Sequence, residues 1–205
     1  MSSNRHNNRI LVAGATGFIG RRLVETLLQR PDPDVHVLVR ESRQVTRIWP
    51  RGGVTARVGD LTRPDSLEGI CNGVDSVFHL AGYAHASGVS ENEAHDLHTR
   101  ITIGGTRALL AAAAAAGVKR FIFVSSVKAM GPAADDSERA ERDGGAPTDP
   151  YGWSKWSAEN ALQAEFAQGP MAVVILRPAL VYGPAAKGNL ALLARGVRAG
   201  LPRPP

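Results

Sequence analysis

The stretch Arg9-Ile-Leu-Val-Ala-Gly14-Ala-Thr-Gly17-Phe-Ile-Gly20 decides the fold. Residues 9–13 are a short apolar run with the composition of a buried strand. Three glycines follow at once, spaced G-x-x-G-x-x-G. A helical pattern then runs to about Arg30, with Ile19, Leu23, Leu27 and Leu28 on one side, and Pro31 and Pro33 end it. Val35-His-Val-Leu-Val39 reads as a second buried strand. A strand, a glycine turn, a helix and a strand form the unit that accepts a dinucleotide pyrophosphate. The glycines permit a tight turn and close backbone approach, and the helix N-terminus offers free N–H groups and the positive end of its dipole. A turn that needs glycine only for its shape is the competing reading.

The residue ending the second strand is placed to read the adenosine ribose. A carboxylate there suits the 2′-hydroxyl of NAD, whereas an arginine fork suits the 2′-phosphate of NADP. Here it is Arg40, with Glu41 adjacent and Arg43 and Arg47 close behind. NADP is favoured; Glu41 keeps NAD open.

Outward from this unit the chain keeps alternating. Residues 54–58 read as a third strand ending in Gly59-Asp60-Leu61, and residues 64–71 as a short amphipathic helix. Residues 74–80 read as a fourth strand closing in Ala81-Gly82, where small side chains let the chain pass close to a ligand. Asp60 is placed to accept from an adenine amine or to cap a helix. Residues 83–100 are polar and read as a mobile active-site loop running into a helix. Their histidines, His85, His95 and His98, lack the spacing and partners of a zinc site, so no metal is expected.

Residues 102–116 read as a strong helix whose six consecutive alanines, 111–116, suit tight packing on a sheet, with Gly117 ending it. Residues 120–126 are a fifth strand ending in Ser125-Ser126. Residues 131–148 have no apolar period and read as a loop over the site or as disorder. A helix then runs from Tyr151 to about Phe166, and residues 171–176 are a sixth strand. The alternation implies an α/β fold: a doubly wound parallel sheet in three layers with no internal linker.

Tyr151 and Lys155 lie one helical turn apart on one face, behind Asp149 and Pro150. An ammonium near a phenol favours the phenolate, so Lys155 is expected to lower the Tyr151 pKa towards the range of a general acid or base.

Composition sets outer bounds. The chain has 205 residues, 43% hydrophobic and 21% charged, enough for one sizeable core. No apolar run approaches the ~20 residues of a membrane span, and the first nine residues lack the apolar region of a secretory signal. One cysteine, Cys71, excludes an internal disulfide and fits a reducing, cytoplasmic setting. The net charge is +5, but the arginines are mostly single, with a modest cluster from Arg40 to Arg51, and not interleaved with aromatics, which argues against nucleic acid and suits an anionic small molecule.

Six stretches together resemble the extended short-chain dehydrogenase/reductase family, in its NAD-dependent epimerase/dehydratase branch. They are Gly14-Ala-Thr-Gly-Phe-Ile-Gly20, Gly59-Asp60-Leu61, His79-Leu-Ala-Gly82, Ser125-Ser126, Tyr151-x-x-x-Lys155, and Arg177-Pro178 with Tyr182-Gly-Pro184. The resemblance implies a Rossmann-like dinucleotide domain over residues 1–184. Residues 185–205 would begin a substrate-binding region most of which is absent, as if the chain were truncated. It also implies Tyr151 as general acid/base, Lys155 as the cation that tunes it and holds the nicotinamide ribose, and Ser126, 25 residues earlier, as the hydroxyl on the reacting oxygen. Cofactor contacts are implied at Gly14, Thr16, Gly17, Phe18, Ile19, Gly20, Arg40, Asp60, Leu61, Leu80, Ala81, Gly82, Tyr151, Lys155 and Pro178.

Lys187-Gly-Asn189 resembles the sugar-nucleotide 4-epimerases and 4-ketoreductases, with Asn189 on the substrate diphosphate and Ser126 on the sugar. One departure is Thr102, at about the place of a family asparagine; a threonine there still has a hydroxyl to bond a carbonyl. The expected activity is NAD(P)-dependent oxidation–reduction or epimerisation of a nucleotide-linked sugar, with a homodimer as a family expectation. Reduction of another carbonyl compound, and a non-catalytic NADP sensor, are the alternatives.

Overall fold

The computed structural model describes residues 8–83, 89–132, 138–166, 169–183 and 189–200. Six strands form one sheet: β1 (Ile10–Ala13), β2 (Val35–Val39), β3 (Val54–Val58), β4 (Ser76–His79), β5 (Arg120–Val124) and β6 (Ala172–Leu176). Their order is β3-β2-β1-β4-β5-β6, and every pairing is parallel. The order reverses direction between β1 and β4, and a doubly wound sheet opens its ligand crevice beyond the strand ends at such a point.

Helices cover both faces. On one side α1 (Phe18–Leu27) and α2 (Arg43–Ile48) pack over Val12, Val24, Val37 and Trp49. On the other, α4 (Gly105–Ala115) and α5 (Pro150–Phe166) cover Leu11, Leu109, Phe121, Phe123 and Leu162. Burying apolar surface on both faces is why β1 and β2 are apolar almost without interruption. The remaining helices are α3 (Glu91–Leu97) and α6 (Asn189–Arg198). The alanines of α4 serve as expected: Ala113 is fully buried and Ala112 and Ala116 pack on the same core.

Several expected elements are trimmed. The helix expected over residues 64–71 is only a 3₁₀ turn, Pro64–Leu67, because Gly69 and Gly73 adopt positive φ of 65° and 71° and break it. The fourth strand is shorter than the apolar run, and α2, which carries no strong apolar period, was not foreseen. The segment expected as a loop running into a helix holds α3 before α4, started by a reciprocal cap between Ser90 and Glu93. It also contains a π-helical turn, His98–Gly104, of the kind that often marks a functional site. His85, Lys187 and Pro184 lie outside the described residues. No described helix is long and apolar enough to cross a membrane.

Candidate active site

Two adjoining cavities, of about 400 and 260 Å³, run along the C-terminal ends of the strands and share Gly14. Between them they are lined by every expected cofactor and catalytic residue. Asn189 is the exception: it is the first residue of α6, and its side chain lies outside the described set.

The glycine turn is tight enough to explain its composition. Gly14 has φ +87°, and a Cβ there would stand 2.6 Å from the Ala81 nitrogen. A Cβ on Gly20 would fall 2.1 Å from the Gly14 carbonyl oxygen, so α1 presses directly on the turn. Gly17, the N-cap of α1, offers no side-chain acceptor, so the first-turn N–H groups have no side-chain cap. Phe18, Ile19 and Gly20 line the smaller cavity. Uncapped donors at a positive helix end fit a pyrophosphate.

At the end lined by Leu38 and Val39, Arg40 is exposed on the rim with Gln44 beside it. Glu41 is paired with Arg43, which leaves Arg40 as the cation facing the cleft. Asp60 uses Oδ1 to accept from the Thr62 N–H at 2.9 Å and its hydroxyl at 2.8 Å. These bonds, the backbone one foremost, hold its carboxyl below the usual carboxylate range, with Arg40 and Arg63 adding to them. Asp60 therefore caps its own turn while lining the cavity.

The other end holds Ser126, Tyr151 and Lys155 together. Asp149 starts α5: its Oδ1 accepts from the Gly152 N–H at 3.0 Å. The Tyr151 phenol hydrogen-bonds Ser126. Lys155 is 4% exposed, and its Nζ donates to the Val124 carbonyl at 3.0 Å. It lies 4.8 Å from the Phe123 ring centroid and 6.0 Å from that of Tyr151.

The expected lowering of the phenol pKa is not found. Burial raises Tyr151 above its ordinary value and the Asp149 carboxylate adds to this, outweighing the Ser126 hydrogen bond. Lys155 gives its hydrogen bond to the Val124 carbonyl and stands 6.0 Å from the Tyr151 ring centroid. Burial also pulls Lys155 itself down to about 8, against the opposing pull of Glu159.

Behind the pair lies a cluster that spacing alone does not reveal. His98 is buried, 3.1 Å from the Ser154 hydroxyl through Nδ1, and its ring meets those of Tyr83 and Tyr151 edge-on. The hydroxyl of Thr102 accepts from the Tyr83 N–H at 3.0 Å, a donor where a carbonyl partner was expected. The π-helical turn carries both residues. Glu159 and Arg177, joined at 2.6 Å, were also not foreseen; the i, i+4 relation of Glu159 to Lys155 was the available signal. Among the described residues no group of His, Cys, Asp or Glu could hold a metal ion.

Residues 10–202 match the NAD dependent epimerase/dehydratase family. A UDP-glucose 4-epimerase from Vibrio cholerae is 37% identical over 196 residues, covering 95% of this chain and 58% of that protein. Among solved structures, the Thermus thermophilus UDP-glucose 4-epimerase complex with NAD aligns at 30% identity and TM-score 0.78, covering 95% of this chain and 64% of the other. A dTDP-glucose 4,6-dehydratase from Streptomyces venezuelae, with NAD and TYD bound, aligns at 27% identity and TM-score 0.80, covering 94% and 62%. The chain thus spans just under two thirds of these proteins or less. With its six-stranded parallel sheet, glycine turn and matching sequence, the chain belongs to the NAD dependent epimerase/dehydratase family.

Proposed function

We propose that the protein is an NAD(P)-dependent enzyme that moves hydride at a carbinol or keto carbon of a nucleotide-linked sugar, by 4-epimerisation or 4-keto reduction. The observation that carries this reading is the convergence of Ser126, Tyr151 and Lys155 on the cavity that the glycine turn also lines. A protein that only sensed a dinucleotide would need the turn but not the trio.

In this reading the turn and the α1 N-terminus hold the pyrophosphate, Arg40 takes a 2′-phosphate, and Lys155 holds the ribose of the nicotinamide. NADP is preferred over NAD because the facing charge on the rim is Arg40, with Glu41 engaged by Arg43. When bound, the dinucleotide supplies the hydride donor or acceptor and, oxidised, a positive ring. Ser126 orients the reacting oxygen and donates to charge developing on it. Tyr151 gives its proton to a carbonyl oxygen in reduction, or takes one from a hydroxyl in oxidation. Its raised pKa keeps it a loaded acid; accepting a proton calls for added positive charge nearby. Residues 1–184 serve as the dinucleotide domain, and Asn189 in residues 185–205 contacts the substrate diphosphate.

The test is conversion of UDP-glucose, UDP-galactose and their 4-keto forms, with NAD(H) and NADP(H), followed by proton NMR. Turnover that is lost in Tyr151→Phe is expected. Tight dinucleotide binding without conversion of any sugar nucleotide would favour the sensor instead.

A further inference from the structure

Down one face of α5, Tyr151, Lys155 and Glu159 stand at successive four-residue steps. The first two enter the proposed reaction; the third has no role in it. Glu159 is 1% exposed, yet it carries a carboxylate. An ionised group so deep persists only with a partner. Arg177, just after β6, supplies one: its Nε lies 3.1 Å from both carboxylate oxygens and its Nη2 2.6 Å from Oε2. The same guanidinium donates through Nη1 to the Glu141 carbonyl at 2.7 Å. Arg177 thereby ties α5, the end of β6 and the segment leading to Tyr151 into one knot.

A carboxylate meant only to anchor Arg177 has no need to stand one turn beyond Lys155, where side chains four apart are neighbours. Lys155 has few other supports. The groups around it are the Val124 carbonyl and Phe123 ring of β5, the Tyr151 phenol, the Gly82 backbone, and His79 of β4. None of these is an anion at neutral pH: burial holds His79 down to about 3, so it is neutral. Glu159 is the group that opposes the effect of burial on Lys155.

The geometry points to Glu159, clamped by Arg177, as a positioning residue that keeps Lys155 a cation beside Tyr151. The carboxylate supplies the field along the helix face, and the arginine sets how much of that field remains. The inference builds on the reading of Lys155 as the cation of the proposed reaction, but its test needs neither substrate nor dinucleotide.

The chain has four lysines, Lys119, Lys128, Lys155 and Lys187, so ¹³Cε-lysine NMR gives four resolvable titrations. Loss of one signal in Lys155→Arg assigns Lys155, whose midpoint is expected near 8. In Glu159→Gln that midpoint should fall by roughly one pH unit, the effect of losing one adjacent opposite charge. In Arg177→Gln, Lys155 becomes the remaining cation that can partner the buried carboxylate, so its midpoint should rise. Arg177→Lys should stay near the parent.

Opposite movements in the two neutralising variants support the inference, because a purely structural pair would not produce them. An unchanged midpoint in folded Glu159→Gln, or movement of both variants in one direction, overturns it. So does a change in Arg177→Lys as large as in Arg177→Gln. If Glu159→Gln does not fold, Arg177→Gln decides alone: a raised midpoint supports the inference, and an unchanged or lowered one ends it. Failure of the proposed reaction shows separately, as absence of sugar-nucleotide conversion with these titrations intact.

Discussion

Arg40 and Lys155 are both cations lining one continuous cleft, and their surroundings are opposite. Arg40 is exposed on the rim, where its charge reaches an incoming anion and is screened by solvent and salt. Lys155 is 4% exposed, bonded to a carbonyl and backed by a neutral histidine, so its charge is costly to keep and strong at short range. The two cations divide the labour of the cleft. An exposed charge is suited to selecting a ligand; a desolvated one is suited to altering the chemistry of its neighbour.

The sharpest way to break this division is at Tyr151. Tyr151→Phe removes the proposed proton carrier and should lower turnover by roughly a hundred- to ten-thousand-fold. Dinucleotide affinity, measured by calorimetry, should be unchanged. A large loss of affinity would mean that the buried end is a binding element first.

A second effect concerns the cost of the buried end. The folded-state pKa of His79 is about 3, depressed by complete burial from an ordinary 6.5. The unfolded chain therefore binds a proton that the folded chain refuses, and stability is lost as pH falls from 6.5 towards 3. The loss at the acid end should be on the order of a few kcal/mol, read by urea unfolding at several pH values. His79→Gln should flatten that slope. Lys155 acts at the other side: depressed from 10.5 to about 8, it should make stability rise with pH across that interval.

The smallest effect belongs to the rim. Arg40→Ala should weaken NADP binding by roughly ten- to a hundredfold, the worth of a charge-assisted bond, and leave NAD binding as it was. Equal loss for both dinucleotides would show that Arg40 contributes general attraction and no selection.

The sequence exposes local features and hides those that depend on packing. The glycine turn, the Tyr151–Lys155 spacing and the serines ending β5 were readable because each is a short pattern with one geometric use. The strand-and-helix alternation gave the three-layer sheet. The direction of the Tyr151 shift was not readable, because it depends on how deeply the phenol is buried, which no local pattern shows. The knot between Glu159 and Arg177 joins residues 18 apart, and the contact of His98 with Ser154 spans 56. The π-helical turn leaves no periodic signature, since it adds residues within an ordinary helical pattern.

In the proposed function the glycine turn, Arg40 and Lys155 form one dinucleotide site. Calorimetric titration of the 205-residue chain with NADP⁺ and with NAD⁺ tests it most directly. Binding of one dinucleotide per chain is expected, tighter for NADP⁺, and weakened for both by Lys155→Met. Absence of binding by either dinucleotide to the folded chain would contradict it.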